Sequence, residues 1–129
     1  MKIRILLSIL LTVTVLSLAA VTSADGVTKR IKFAKGKHSA TVSNSVIRGD
    51  RDTYIAGAGA GQTMTVKITS LEDNAVFQIE APDGEYLDGA GETDDAMNFS
   101  GELPARGDYR IIVGGTRGNA TYKLTVMIK

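Results

Sequence analysis

Thr63-Met64-Thr65-Val66-Lys67-Ile68-Thr69 alternates polar and apolar residues without a break. Met64, Val66 and Ile68 fall on one face and threonines and a lysine on the other. A period of two is what a strand with one buried face requires, and no helix can use it. Tyr122-Lys123-Leu124-Thr125-Val126-Met127-Ile128 repeats the pattern, with Tyr122, Leu124, Val126 and Ile128 on one side. Val27-Thr28-Lys29-Arg30-Ile31-Lys32-Phe33 alternates as well and reads as a further strand. Ala75 to Ala81 and Tyr109 to Val113 are more continuously apolar, which predicts central strands.

Between these runs lie turns. Pro82-Asp83-Gly84-Glu85 combines a fixed φ with a residue that accepts positive φ. Gly57-Ala58-Gly59-Ala60-Gly61 and Gly89-Ala90-Gly91 read as loops. No stretch after Ala24 keeps a helical period over three turns, and no internal repeat is present. Short strands separated by turns predict an all-β, antiparallel sandwich, jelly-roll-like, of about eight strands.

The first 24 residues read differently. Lys2 and Arg4 precede an apolar run from Ile5 to Ala20, and Thr22 and Ala24 place small residues before Asp25. A basic head, an apolar middle and a small-residue exit describe a secretory signal peptide. The run of 16 residues, broken by Ser8, Thr12, Thr14 and Ser17, is short for a membrane span of about 20. Residues 1–24 are expected to be removed, leaving one domain over 25–129 with no membrane anchor.

Removing Lys2 and Arg4 from the 15 basic residues leaves 13 against 14 acidic ones, a net of −1. A nucleic-acid binder would need a basic surplus, so that class is excluded. Charge is uneven: residues 25–70 carry +5, residues 71–110 carry −9 and the last 19 carry +3. With no cysteine there is no disulfide, thiol catalysis or thiolate metal site. With one histidine there is no histidine-based zinc site, and no metal or cofactor is expected.

Two family resemblances rest on particular residues. Asp52-Thr53-Tyr54 followed by Ala60-Gly61-Gln62-Thr63-Met64-Thr65-Val66 resembles the core of bacterial pre-peptidase C-terminal-type β-sandwiches. Ala81-Pro82-Asp83-Gly84 and Leu103-Pro104-Ala105-Arg106-Gly107-Asp108-Tyr109 through Val113 resemble that group's turn and closing strand. The second resemblance is narrower. Phe33-Ala34-Lys35-Gly36-Lys37-His38-Ser39-Ala40, Ile47-Arg48-Gly49 to Asp52-Thr53-Tyr54, Leu103-Pro104-Ala105 to Tyr109, the Thr116-Arg117 loop and Ile128-Lys129 are similar to the periplasmic inhibitors of goose-type lysozyme.

That resemblance implies a periplasmic or secreted protein that is not an enzyme and whose partner is a goose-type lysozyme. The enzyme would be blocked by loop side chains placed in its substrate cleft. The family's arginine after a threonine in the penultimate loop matches Arg117. Its second arginine, four residues later, corresponds to Thr121, and its aromatic residue after the first-loop glycine corresponds to Asp50. The alternative is a pre-peptidase-type module that binds an envelope polysaccharide or protein.

The chemistry of such a site favours arginine. A lysozyme cleft works with carboxylates. A planar guanidinium meets carboxylate in a two-pronged fork that lysine cannot form. Arg117, in Gly114-Gly115-Thr116-Arg117-Gly118-Asn119, reads as the tip of a protruding hairpin, with Thr116 beside it. Arg51, flanked by Asp50 and Asp52, is the next contact candidate and reads otherwise as a local charge cluster. Tyr54 reads as core.

Other motifs carry less. Arg-Gly-Asp at 48–50 and 106–108 reads as turn chemistry before a tyrosine-containing strand. The acidic stretch from Asp83 to Asp95 lacks EF-hand spacing and reads as a solvated loop, with a weak calcium site as the alternative. His38 reads as structural, since no G-x-S-x-G elbow accompanies it. Asn98-Phe99-Ser100 and Asn119-Ala120-Thr121 match a glycosylation acceptor only in spelling.

Overall fold

The period-two segments become strands in the computed structural model, which describes residues 26–129. The expected signal peptide lies outside the described residues. The strands are β1 (Thr28–Arg30), β2 (Ser39–Val46), β3 (Asp52–Ala58), β4 (Thr63–Ser70), β5 (Ala75–Glu80), β6 (Asn98–Glu102), β7 (Gly107–Gly115) and β8 (Ala120–Ile128). They form two four-stranded sheets, ordered β1-β3-β7-β5 and β2-β8-β4-β6. Every pairing between neighbouring strands is antiparallel except β1 with β3.

Alternation decides what the sheets bury between them. Met64, Val66 and Ile68 of β4 face Leu124 and Val126 of β8 along one inner face. Tyr54, Phe77, Ile79, Tyr109, Ile111 and Val113 line the other, and all are at most 2% exposed. Removing this surface from water at about 25 cal/mol per Å² is the main force joining the sheets. Without disulfides, packing carries the fold. Tyr109 adds a corner lock: its hydroxyl donates to the Ala105 carbonyl at 2.6 Å and accepts from the Ala105 amide at 3.2 Å. This is the tyrosine-corner device of β-sandwiches.

Four local expectations change. The strand expected over 27–33 shrinks to three exposed residues of β1, from which the chain turns inward at Ile31. Ala75–Ala81 is not central, because β5 is the last strand of its sheet. Its outer edge is covered by the segment 81–97: Phe77 and Ile79 donate to the Ala96 and Ala90 carbonyls, and Leu87 donates to Ile79, each at 2.9 Å. That cover explains the apolar composition and shields an edge that would otherwise invite pairing. Gly57 and Ala58 belong to β3, so the loop there is shorter than expected. Strands β2 and β6 were not expected as strands. Each is polar on its outer face and, apart from buried Val46 at the end of β2, only partly buried on its inner one, which weakens the pattern.

Candidate functional site

Strands β2, β4 and β8 lie in one sheet and β3, β5 and β7 in the other. The connections β2–β3, β4–β5 and β7–β8 therefore all cross between sheets. Registers bring the crossings to one end of the sandwich. Val46 and Ser70, at the ends of β2 and β4, pair with Ala120 and Tyr122 at the start of β8. Asp52 and Ala75, at the starts of β3 and β5, pair with Val113 and Gly115 at the end of β7. Three loops, 47–51, 71–74 and 116–119, thus share one pole. The Arg117 loop is a sheet-to-sheet crossing rather than the expected hairpin tip.

Asn74 holds this pole together from below. It is 1% exposed. Its side-chain amide donates to the Arg117 and Asn119 carbonyls at 2.9 and 3.0 Å, and its own carbonyl accepts the Thr116 amide at 2.8 Å. The Arg117 guanidinium donates back to the Glu72 carbonyl at 2.6 Å. The Asn119 side chain accepts the Arg48 amide at 2.8 Å, which ties in the first loop. Gly115 permits the tight crossing, since a Cβ there would lie 2.8 Å from the Gly118 carbonyl oxygen.

Thr116 and Arg117 are exposed. With Arg48, Gly49, Gly115 and Gly118 they line a surface depression of about 500 Å³. Arg48-Gly49-Asp50 is a tight turn, closed by the Asp50 amide donating to the Ile47 carbonyl at 2.9 Å, with Gly49 at φ +84°. Asp50 is partly buried behind it. The Arg51 side chain leaves this depression. It lies across Gly114 on the outer face of the first sheet and borders a second hollow with Gln78, Tyr86, Glu92, Thr93 and Ile112. Thr121 lies on the other sheet's outer face, within 2.7 Å of the Ser45 hydroxyl.

The expected Asp50–Arg51–Asp52 charge cluster does not form. Among the described residues the ion pairs are Arg30–Asp108 at 2.7 Å and Arg110–Glu80 at 3.6 Å. Asp52 is 2% exposed and turned inward. One of its oxygens accepts the Val27 amide at 3.0 Å. The other accepts Asn44 at 3.2 Å and the Tyr122 hydroxyl at 2.6 Å. Tyr122 spends its proton on Asp52, so Tyr54 donates to Tyr122. Burial pushes both tyrosine hydroxyls above their ordinary range, and for Tyr122 the bond to Asp52 adds to the shift. This network fixes the base of the 47–51 loop, and Tyr54 is core as expected.

In chemical terms the pole brings Arg48, Thr116 and Arg117 to one hollow, with the Arg117 guanidinium also donating to the Glu72 carbonyl and the Thr116 hydroxyl turned to the Asn74 carbonyl at 3.5 Å. That set can hold carboxylate oxygens in a fork. The acidic stretch is occupied with its own turns: Asp94 accepts the Gly91 amide at 2.7 Å and Asp83 the Glu85 amide at 3.0 Å.

Sequence reasoning missed Arg48, Glu72 and Asn74. Arg48 sat inside a quoted motif but drew no role. Glu72-Asp73-Asn74 is turn-like in composition, yet nothing in it reveals a partner over forty residues away.

No protein-family model matches the chain, and no curated protein matches it in sequence. Solved structures do match. Aeromonas hydrophila PliG, a periplasmic lysozyme inhibitor of g-type lysozyme, is 35% identical with a TM-score of 0.69, over 81% of this chain and 99% of that one. Salmonella Typhimurium PliG is 29% identical with a TM-score of 0.63, over 81% and 99%. A pre-peptidase C-terminal domain of collagenase from Bacillus anthracis, 19% identical with a TM-score of 0.55 over 77% and 93%, shares the fold. At 35% identity over essentially the whole length of the Aeromonas protein, this chain belongs to the family of periplasmic inhibitors of g-type lysozyme.

Proposed function

We propose that this chain works in the periplasm, after removal of residues 1–24, as an inhibitor of a g-type lysozyme. It acts by binding rather than by catalysis. The contact surface is the three-loop pole, with Arg117 and Thr116 entering the enzyme's carboxylate-bearing cleft and Arg48 beside them. Asp50 shapes the first turn, and Arg51 contributes from the rim. The observation that carries this reading is the way Arg117 is presented. Its loop is tied to buried Asn74 through two carbonyls, so little freedom is lost when the arginine docks.

Thr121 and Asp50 stand where the resemblance implies a second arginine and an aromatic residue. The arginine pair here is instead Arg48 with Arg117, brought to one hollow by the Arg48–Asn119 bond.

The test is lysis of a cell-wall suspension by g-type lysozyme with and without the purified protein. Slowed lysis at micromolar inhibitor is expected. Arg117→Ala should weaken binding by roughly 2–5 kcal/mol, as for a desolvated charged contact. Unchanged lysis refutes the proposal.

A further inference from the structure

Among the described residues, the large apolar side chains left exposed are Leu71 at 94%, Ile47 at 63%, Val27 at 43% and Tyr86 at 37%. Single exposed leucines are ordinary on a protein surface. What distinguishes Leu71 and Ile47 is their place: the two most exposed of the four occupy two of the three loops at the Arg117 pole. Leu71 directly precedes Glu72, whose carbonyl accepts the Arg117 guanidinium.

The turn that carries Leu71 is also unusually well fixed. The Ser70 hydroxyl accepts the Asn74 and Ala75 amides at 3.0 and 3.2 Å, and the Ser70 carbonyl accepts the Asp73 amide at 3.3 Å. Asp73 sits at φ +49°, a region that non-glycine residues seldom adopt. A turn restrained from several sides holds its tip in one place. A leucine on that tip has its backbone already placed, so binding need order only its side chain. The side chain projects beside shallow hollows shared with Glu72, Asn119 and Thr121 on one flank and with Thr69 and Lys123 on the other.

We propose that Leu71, supported by Ile47, is the apolar anchor of the docking surface and seats in an apolar recess at the mouth of the lysozyme cleft. This inference rests on the inhibitor reading above. Leu71 adjoins the residue that holds the Arg117 guanidinium, so the pole sets an apolar contact beside a charged one, the mixture that protein interfaces use. A glycan would offer hydroxyls to such a tip, whereas a protein surface offers a recess.

The experiment compares the wild-type chain with Leu71→Ser and Leu71→Met in the g-type lysozyme lysis assay at low and high salt. Thermal melting confirms that each variant is folded, as expected for a side chain so exposed. Leu71→Ser should weaken inhibition by about tenfold or more, and Leu71→Met should stay near wild type. The loss should be the same at both salt concentrations, as for an apolar contact that salt does not screen. If the wild type inhibits and Leu71→Ser does so within twofold of it, this inference fails while the inhibitor reading stands. If the wild type does not inhibit, both fail.

Discussion

Asp52 shows how a residue's role turns on which way it faces. Between Asp50 and Arg51 on one side and Thr53 on the other, it reads as part of a surface charge cluster. In the structure it is the acceptor at the centre of a buried network. The clue lay in the alternation: Asp52, Tyr54 and Ala56 share a face, and the latter two are plainly inward. What sequence cannot supply is the set of donors, because Val27, Asn44 and Tyr122 come from three distant segments. Asp52→Ala would leave the buried Tyr122 hydroxyl without its acceptor and the half-buried Val27 and Asn44 donors without theirs. It should cost about 3 kcal/mol in a urea unfolding experiment. A loss below about 0.5 kcal/mol, the level of an ordinary surface substitution, would show that the network is not structural.

At the scale of elements, strands with a buried apolar face were legible, whether alternating as β4 and β8 or continuously apolar as β5 and β7, and those with partial burial were not, while the alternation over 27–33 overstated β1. Strands β4, β7 and β8 emerge from pattern alone. Strand β2 carries serine, threonine and asparagine at most positions and needed the facing β8 ladder to be seen. The same limit applies to the loops. Composition marked 114–119 as a turn, but only topology shows that it crosses between sheets and meets 71–74 and 47–51. Asn74 is the positioning residue at that junction. Asn74→Ala should lower stability by about 2 kcal/mol, since a buried amide and its partner carbonyls lose each other. It should also weaken lysozyme inhibition at temperatures where the variant is fully folded. Combined with Arg117→Ala, the two losses should be less than additive, because both act through the placement of one side chain. Full additivity would mean that Asn74 does not position Arg117.

At the scale of the whole molecule, the topology of the two sheets brings the loops of the candidate site to one pole. Each of the three crossing loops could be flagged as a turn from sequence, and Arg117 could be singled out through the family resemblance. Their convergence could not, since it depends on which strands share a sheet. Arg51 illustrates the gap: one residue from the tight turn, it leaves the hollow and lies over Gly114 on another face. The most direct test of the central claim is a hydrogen-exchange footprint of the protein with and without g-type lysozyme. Added protection should map to 47–51, 71–74 and 115–119, with both outer sheet faces unchanged. Protection confined to an outer sheet face, or to the opposite end of the sandwich, would contradict the account.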